Sequence, residues 1–360
     1  LGHSIGRDRL WLAGGYFSVG MSWLAKMAGL AEVPVFVAFG EGAPADAASV
    51  LAKTPGLRVV ETPRAAAVLL VVGTIPEALI PQLHRLHDQL PHPRASAIWH
   101  SRNELPGATR VEEIATISVL LRAIHRDLLA GSLKTEPDIL PDAPPNEWRG
   151  IGPHGQGGKG MMGGTPYGRT MAMTAADLRD GLELDAYTAD FGPSLPMLPP
   201  GLVLTLTLQG DMIQNVAVAH PPFESQEQRG WVLLNLLGLP ALAERMLRAT
   251  NIGNATLKRL IRLSGARAAI PKGLGRTHDG SDVRTRFDLL TGTSEPIFNL
   301  HVQQTGLDDL LIGLEWHEAM LVLNSFDNAS LRAICANTSN PKPDAMAGGM
   351  DHGVHAGHMS

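Results

Sequence analysis

Thr62 to Ser101, TPRAAAVLLVVGTIPEALIPQLHRLHDQLPHPRASAIWHS, restricts the fold of this chain more than any other stretch. Ala65 to Val72 is an unbroken apolar run rich in Val and Leu, which suits a parallel strand buried on both faces. Gly73-Thr74 closes it. Pro76 and Pro81 flank the entry to a helix in which Leu79, Leu83, Leu86 and Leu90 recur at helical spacing, and Pro91-His92-Pro93 stops that helix. Ala95 to Trp99 begins a second strand. The unit is long enough to be a right-handed crossover between parallel strands.

The flanking sequence extends the same pattern. Arg9 to Ala13 predicts a short strand and Ser18 to Met27 a short helix, with Met21, Leu24 and Met27 on one face. Val33 to Phe39 is a buried strand, followed by a Gly40-Glu41-Gly42 turn and an Ala-rich helix over 44–53. Leu57 to Glu61 is an edge or connecting strand. Thr109 to Leu129 reads as one strongly periodic helix, with Thr109 as its cap and Glu112 as a capping-box partner. Together these elements predict an N-terminal α/β domain, flavodoxin-like, with a mostly parallel sheet.

A chain of 360 residues with 44% apolar content can bury a sizeable core, and its length suggests about two domains. The net charge of -5 gives no hint of nucleic acid. The single cysteine, Cys335, excludes a disulfide within the chain and any site built from four of its own thiolates. It follows an apolar Ile and reads as a buried or half-buried thiol rather than a nucleophile. Leu10 to Phe39 is apolar enough to raise a membrane span, but Lys26, Glu32, Pro34 and its glycines break it into a loop, a helix and a strand. The chain opens on Leu1, and no signal peptide is visible in it.

Beyond residue 137 the composition changes. The stretch 137–167 is dominated by Pro and Gly and reads as a linker or an extended arm. Lys159 lies among glycines there, but a phosphate loop needs G-x-x-x-x-G-K-[ST] between a strand and a helix, and Lys159 is followed by Gly160. Residues 169–219 are β-rich, with a hairpin formed by LVLTLTL at 202–208, a Gln209-Gly210-Asp211 turn and a return over 212–218. Helices are predicted at 231–237, 241–248, 255–263, 307–316 and 317–326. The second half is therefore α+β. Arg245 to Arg286 holds ten Lys or Arg against two Asp, which reads as a solvated face or as a surface for an acidic partner or anionic lipid.

The wording of the opening stretch resembles the small subunit that carries the terminal iron–sulfur cluster of respiratory complex I, and its relatives in nickel–iron hydrogenases. That family has a strand ending in Gly-Thr, a helix ending in Asp-Gln-Met-Pro-x-Pro-Arg, and a strand leading into Ser-Cys. Gly73, Thr74, Pro81, Leu83, Asp88, Gln89, Pro91, Pro93 and Arg94 match. Phe191 to Pro222 is similar to the N-terminal β-element of the complex I subunit descended from the hydrogenase large subunit. Gly192, Pro193, Pro196, Gly201, Gly210, Asp211 and Ile213 match, and Arg229-Gly230 echoes the start of that subunit's first helix. The resemblance divides the chain into a small-subunit-like domain at 1–145, an arm at 146–185, a hairpin element at 186–225, a helical large-subunit-like domain at 226–336 and a His- and Met-containing tail at 337–360.

The residues that carry the family's chemistry are replaced. The cluster-ligand positions fall near Tyr16, Phe17, Arg102 and Ala143, none of which offers the thiolate that iron needs. The histidine of the family's G-P-x-H-P loop, which lines a quinone cavity, falls at Leu195, and a second histidine position lies close to Pro199. The resemblance then implies a cofactor-less, structural, redox-inactive subunit. It would sit peripherally on the cytoplasmic face of the membrane, against antiporter-like and other membrane subunits of a proton-translocating assembly. The alternative is an oxidoreductase subunit with a remodelled site between the halves, using His100, Arg102 or His220. Three further groups are weighed: His84, His87 and His92 at one helix end, as surface residues or ligands; Glu315, His317 and Glu318 on one helix, as a solvated end or an acid–base set; and His352, His355, His358, Met359 and Asp351 in the tail, as an adventitious or a real copper, nickel or zinc site.

Overall fold

The computed structural model describes residues 31–141, 173–176, 183–227, 229–249, 255–293 and 305–338. The first half is a five-stranded, fully parallel sheet in the order β2-β1-β3-β4-β5, built from β1 (Val33–Phe39), β2 (Leu57–Val59), β3 (Val68–Val72), β4 (Ala95–Trp99) and β5 (Thr109–Val111). β3 is central, and all five of its residues are buried. The period-2 alternation of a strand explains why it needs an unbroken apolar run. Val68, Leu70 and Val72 face α1 (Ala47–Lys53) and α3 (Ile117–Ala130), where Leu51, Ile117, Leu121 and Leu128 cover them. Leu69 and Val71 face the other way, toward Leu79, Leu83 and Leu90 of α2 (Ile80–Asp88) and its flanks.

One sequence expectation is corrected here. Thr109 does not cap a long helix: Thr109–Val111 is edge strand β5, paired with Ala97–Trp99, and the helix begins at Ile117 after a 3-10 turn at Ile114–Thr116. Val111 is buried in the core on one side of the sheet. Pairing with an open sheet edge outweighs the local helical periodicity, because it satisfies backbone groups that the end of β4 would otherwise leave bare.

The second half opens on a four-stranded antiparallel sheet in the order β6-β7-β8-β9. Its strands are β6 (Met173–Ala176), β7 (Glu183–Phe191), β8 (Val203–Gln209) and β9 (Met212–His220). The expected hairpin is β8–β9, and β7 and β6 widen it. Leu204 and Leu206 of β8 point into a helical layer, while Thr205 and Thr207 stay on the outer face, where they meet Asp190 at 2.6 Å and Thr188 at 2.9 Å. The helices are α4 (Gly230–Leu236), α5 (Pro240–Leu247), α6 (Ala255–Leu263), α7 (Ala266–Ala269), α8 (Val283–Leu290), α9 (Leu307–Leu311), α10 (Trp316–Ser325) and α11 (Asn328–Asn337).

The helices at α8 and α11 were not expected from periodicity. Each has an aspartate cap: Asp282 accepts from the Thr285 amide, and Asp327 from the Ser330 amide. The two halves share apolar packing. Val203 and Phe223 from the second half are buried in the same cluster as Phe36, Leu69, Leu83 and Ile98 from the first. Asn235 of α4 also donates to Glu61 across the junction at 3.1 Å.

Candidate functional site

In an open parallel sheet the usual ligand crevice lies outside the carboxyl ends of the strands, where the strand order reverses. Here that place is between β1 and β3, and the backbone closes it. The Glu41 amide donates to the Thr74 carbonyl at 2.8 Å, and the Thr74 amide donates back to Glu41 at 2.7 Å. Two glycines make this approach possible. Gly73 has a φ of +84°, and a Cβ there would lie 2.7 Å from the Gly40 and Glu41 carbonyl oxygens; one on Gly40 would lie 2.6 Å from the Thr74 carbonyl carbon.

The chain leaving β4 is fastened over the same edge. Asn103 accepts from the Ile75 amide at 2.6 Å and donates to the Ile75 carbonyl at 2.8 Å. The Arg102 amide donates to the Thr74 hydroxyl at 3.1 Å, and Arg110 donates to the Ser101 carbonyl at 2.7 Å. Arg102 and His100 are themselves exposed. Tyr16, Phe17, Ala143 and Lys159 lie outside the described residues, as do His352, His355, His358, Met359 and Asp351. The arm at 146–185 lies outside them except for β6 and the start of β7.

A second place is an open groove of about 390 Å³ where the halves meet. Glu61, Gln82, Arg85 and Gln89 line it from the first half, with Asp190 and the 192–196 loop from the second. The loop is tightly specified. Gly192 has a φ of +116°, and a Cβ there would come 2.0 Å from the Leu202 carbonyl oxygen. The Gly201 amide donates to Pro193, Arg229 to Pro196 at 3.2 Å, and Asn324 to Met197 at 2.7 Å. Its two carboxylates have partners outside it: Asp190 accepts from Thr205, and Glu61 from Asn235. The side-chain oxygen of Gln82 is buried without a hydrogen-bond partner.

His100, Arg102 and His220 do not line the groove. The His220 Nδ1 faces the Gly201 and Pro221 carbonyls at 2.8 and 2.6 Å, and the ring stands edge-on to Phe223. Leu195 is partly buried against the second-half core.

The third place was misread in the sequence. His87 is not a surface residue: it is 1% exposed, with Nδ1 2.7 Å from Asp88 and Nε2 2.9 Å from Glu136. Glu136 also accepts from the Ser96 amide and hydroxyl, each at 2.7 Å. Asp88 accepts from the Ile139 and Leu140 amides, and buried Arg94 donates to the Leu90 carbonyl, Asp88 and Asp138. This network clasps the 132–140 strap onto α2 and β4. Burial pulls the His87 imidazole down, but the Glu136 and Asp88 carboxylates outweigh it and hold its pKa above the ordinary 6.5. Asp88 is itself held below the ordinary carboxylate value: burial opposes this, and the Ile139 amide, His87 and the Leu140 amide overcome it. Glu136, 49 positions from His87, carried no local signal that could have linked the two.

The remaining candidates do not converge. His92 faces the Thr135 hydroxyl at 2.8 Å and lies 3.7 Å from Asp138, exposed on the outer side of the same strap. Glu315 and His317 lie exposed at the start of α10. Among the described residues no group of three His, Cys, Asp or Glu side chains is placed to hold a metal ion. Cys335 is buried, which pushes its thiol pKa up to about 12. No helix among the described residues is long and apolar enough to cross a membrane. The comparisons with known proteins return no matching family model, no curated relative and no similar solved structure.

Proposed function

We propose that this chain is a redox-inactive structural subunit of a membrane-bound, complex I-like ion-translocating assembly. It docks peripherally, on the cytoplasmic side, against antiporter-like and other membrane subunits. The observation that carries this reading is the closed carboxyl edge of the parallel sheet. The flavodoxin-like strand order sets a ligand crevice between β1 and β3, and the Glu41–Thr74 backbone bridge closes it, while the Asn103 side chain fastens the chain after β4 onto Ile75 at the same edge. Arg102, which stands at a thiolate position of the resembled small subunit, is attached at this edge through its amide. What the two halves retain is a shared apolar cluster, and two parts packed together in this way suit a packing role.

Purification from native membranes in mild detergent tests the reading. Antiporter-like membrane subunits should co-purify with the chain in fixed ratio, and iron should stay far below one atom per chain. A chain recovered without membrane subunits, or stoichiometric iron with cluster absorbance assigned to it, would overturn the proposal.

The groove between the halves favours a second reading, an oxidoreductase subunit with a remodelled site, because Gln82 offers an unpartnered buried oxygen beside Arg85. Gln82→Leu with Arg85→Leu would then abolish turnover by the purified assembly without changing its subunit content. Unchanged turnover would dismiss this second reading.

A further inference from the structure

The 132–140 strap is held by charge more than by packing. From Ser132 to Asp138 every residue is exposed except Glu136. Ile139 and Leu140 are half-buried, and Ile139 packs on the cluster that contains Leu83 and Leu90. The polar holds run to four neighbours. The Glu136 carboxylate bonds His87 and Ser96, and the Ile139 and Leu140 amides donate to Asp88. Asp138, the Thr135 hydroxyl and the Glu136 amide meet the side chain, amide and carbonyl of Arg94. A segment with so little apolar burial can open while the sheet beneath it stays folded.

His87 stands where two of these holds meet, with Nε2 2.9 Å from Glu136 and Nδ1 2.7 Å from Asp88. When both ring nitrogens carry a proton, each carboxylate accepts an N–H. When one proton leaves, one carboxylate faces a lone pair. Whichever nitrogen keeps its hydrogen the strap loses, because Glu136 belongs to it and Asp88 holds its Ile139 and Leu140 amides. Arg94 does not replace the lost charge, since its guanidinium is already shared among Asp88, Asp138 and the Leu90 carbonyl.

We infer that the 132–140 strap is a pH-operated latch: the doubly protonated His87 ring holds it shut, and loss of one ring proton frees it from α2 and β4, uncovering Arg94 and Ser96. Burial pulls the pKa of the ring down and Arg94 adds to that, but Glu136 and Asp88 outweigh both and place the change above 6.5. The latch is therefore closed below 6.5 and released as pH rises through the folded value. His125, also buried, is pulled below 6.5 by burial and is neutral across that window. His92 touches the strap from outside, on Thr135 and Asp138.

Hydrogen–deuterium exchange of the full chain, at about pH 6 and about pH 8.5 with labelling times scaled to the intrinsic amide rate, tests the latch. At both values the Glu136, Ile139 and Leu140 amides should exchange at least about tenfold faster than those of β3, because the strap opens without the sheet. Their protection should fall several-fold from the lower pH to the higher. His92→Gln should keep that fall, and His87→Gln should abolish it. Strap protection equal to that of β3, protection that does not fall, a fall that survives His87→Gln, or one that disappears in His92→Gln each overturns the inference. Should His87→Gln fail to fold, the parent chain decides. The midpoint of the fall should coincide with the titration of the His87 ring followed by NMR, and a midpoint elsewhere overturns the latch.

Discussion

Replacing Glu136 by Leu should be among the most damaging single changes in the first half. Glu136 is 7% exposed and accepts three hydrogen bonds, from His87 and from both the amide and the hydroxyl of Ser96. β5 pairs with β4 only from Ala97 onward, so the carboxylate takes the place of a strand partner for the Ser96 amide. Leucine would strand that buried donor at a cost of about 1–3 kcal/mol, and would break a buried charge pair, for which about 3–5 kcal/mol is typical. The overlap of these terms gives a loss of roughly 3–6 kcal/mol, a large share of the stability of an ordinary domain. Glu136→Gln keeps an oxygen for Ser96 and should cost about 1–2 kcal/mol.

Equilibrium urea unfolding measures both variants. A Leu variant within about 1 kcal/mol of the parent would refute the reasoning, since it would mean that the clasp is solvated or rearranges freely. The same network gives a pH signature. Both ring nitrogens of His87 face carboxylates, and a neutral ring has one N–H to offer the two of them. The folded pKa of His87 is raised above 6.5, so its contribution is fully present below 6.5 and is lost as pH rises through the folded value. Asp88 works at the other end: its folded pKa is lowered from 3.8, so its contribution is present above 3.8 and lost as pH falls through the folded value. Stability should therefore decline on the alkaline side of 6.5 in the parent and stay flat there in His87→Gln. A parent with no such decline would refute the assignment.

Two other outcomes are open to direct measurement. The Cys335 thiol, buried and pushed up to about 12, should resist iodoacetamide at mildly alkaline pH in the native chain and react fully in denaturant, as read by mass spectrometry; rapid native labelling would contradict its packing. Phe223→Ala should cost about 3–5 kcal/mol by emptying the cluster it shares with Phe36 and Leu83, and the loss should appear in the unfolding of both halves; a change confined to the second half would refute the shared core.

The elements most legible in the sequence were those with strong local rules. The all-apolar β3 could be buried only on both faces, and the threonine alternation of β8 could be buried only on one. Thr109–Val111 was misassigned because its partner, Ala97–Trp99, is a tertiary fact that no local periodicity encodes. Helix α8, VRTRFDLL, was missed because its charged residues obscure the apolar period, although Asp282 three residues before Thr285 was a readable cap signal. The His87–Glu136 clasp was invisible for a related reason. A histidine among charged neighbours on a short helix looks solvent-facing until a carboxylate from the far end of the domain is brought onto it. The glycines at 40 and 73 were read as turn residues, but their closeness across two strands depends on sheet order.

The burial of Val203 and Phe223 against Phe36, Leu69 and Leu83 also bears on how the chain is made. Synthesis proceeds from the N-terminus, so the parallel sheet leaves the ribosome well before the residues that complete one of its faces. At roughly 5–20 residues per second, that face stays unfinished for on the order of ten seconds in every round of translation. During that interval the nascent first half offers an apolar patch to chaperones or to neighbouring nascent chains. Because the missing residues lie downstream on the same polypeptide, each chain supplies its own cover, and no search for a separate subunit is needed.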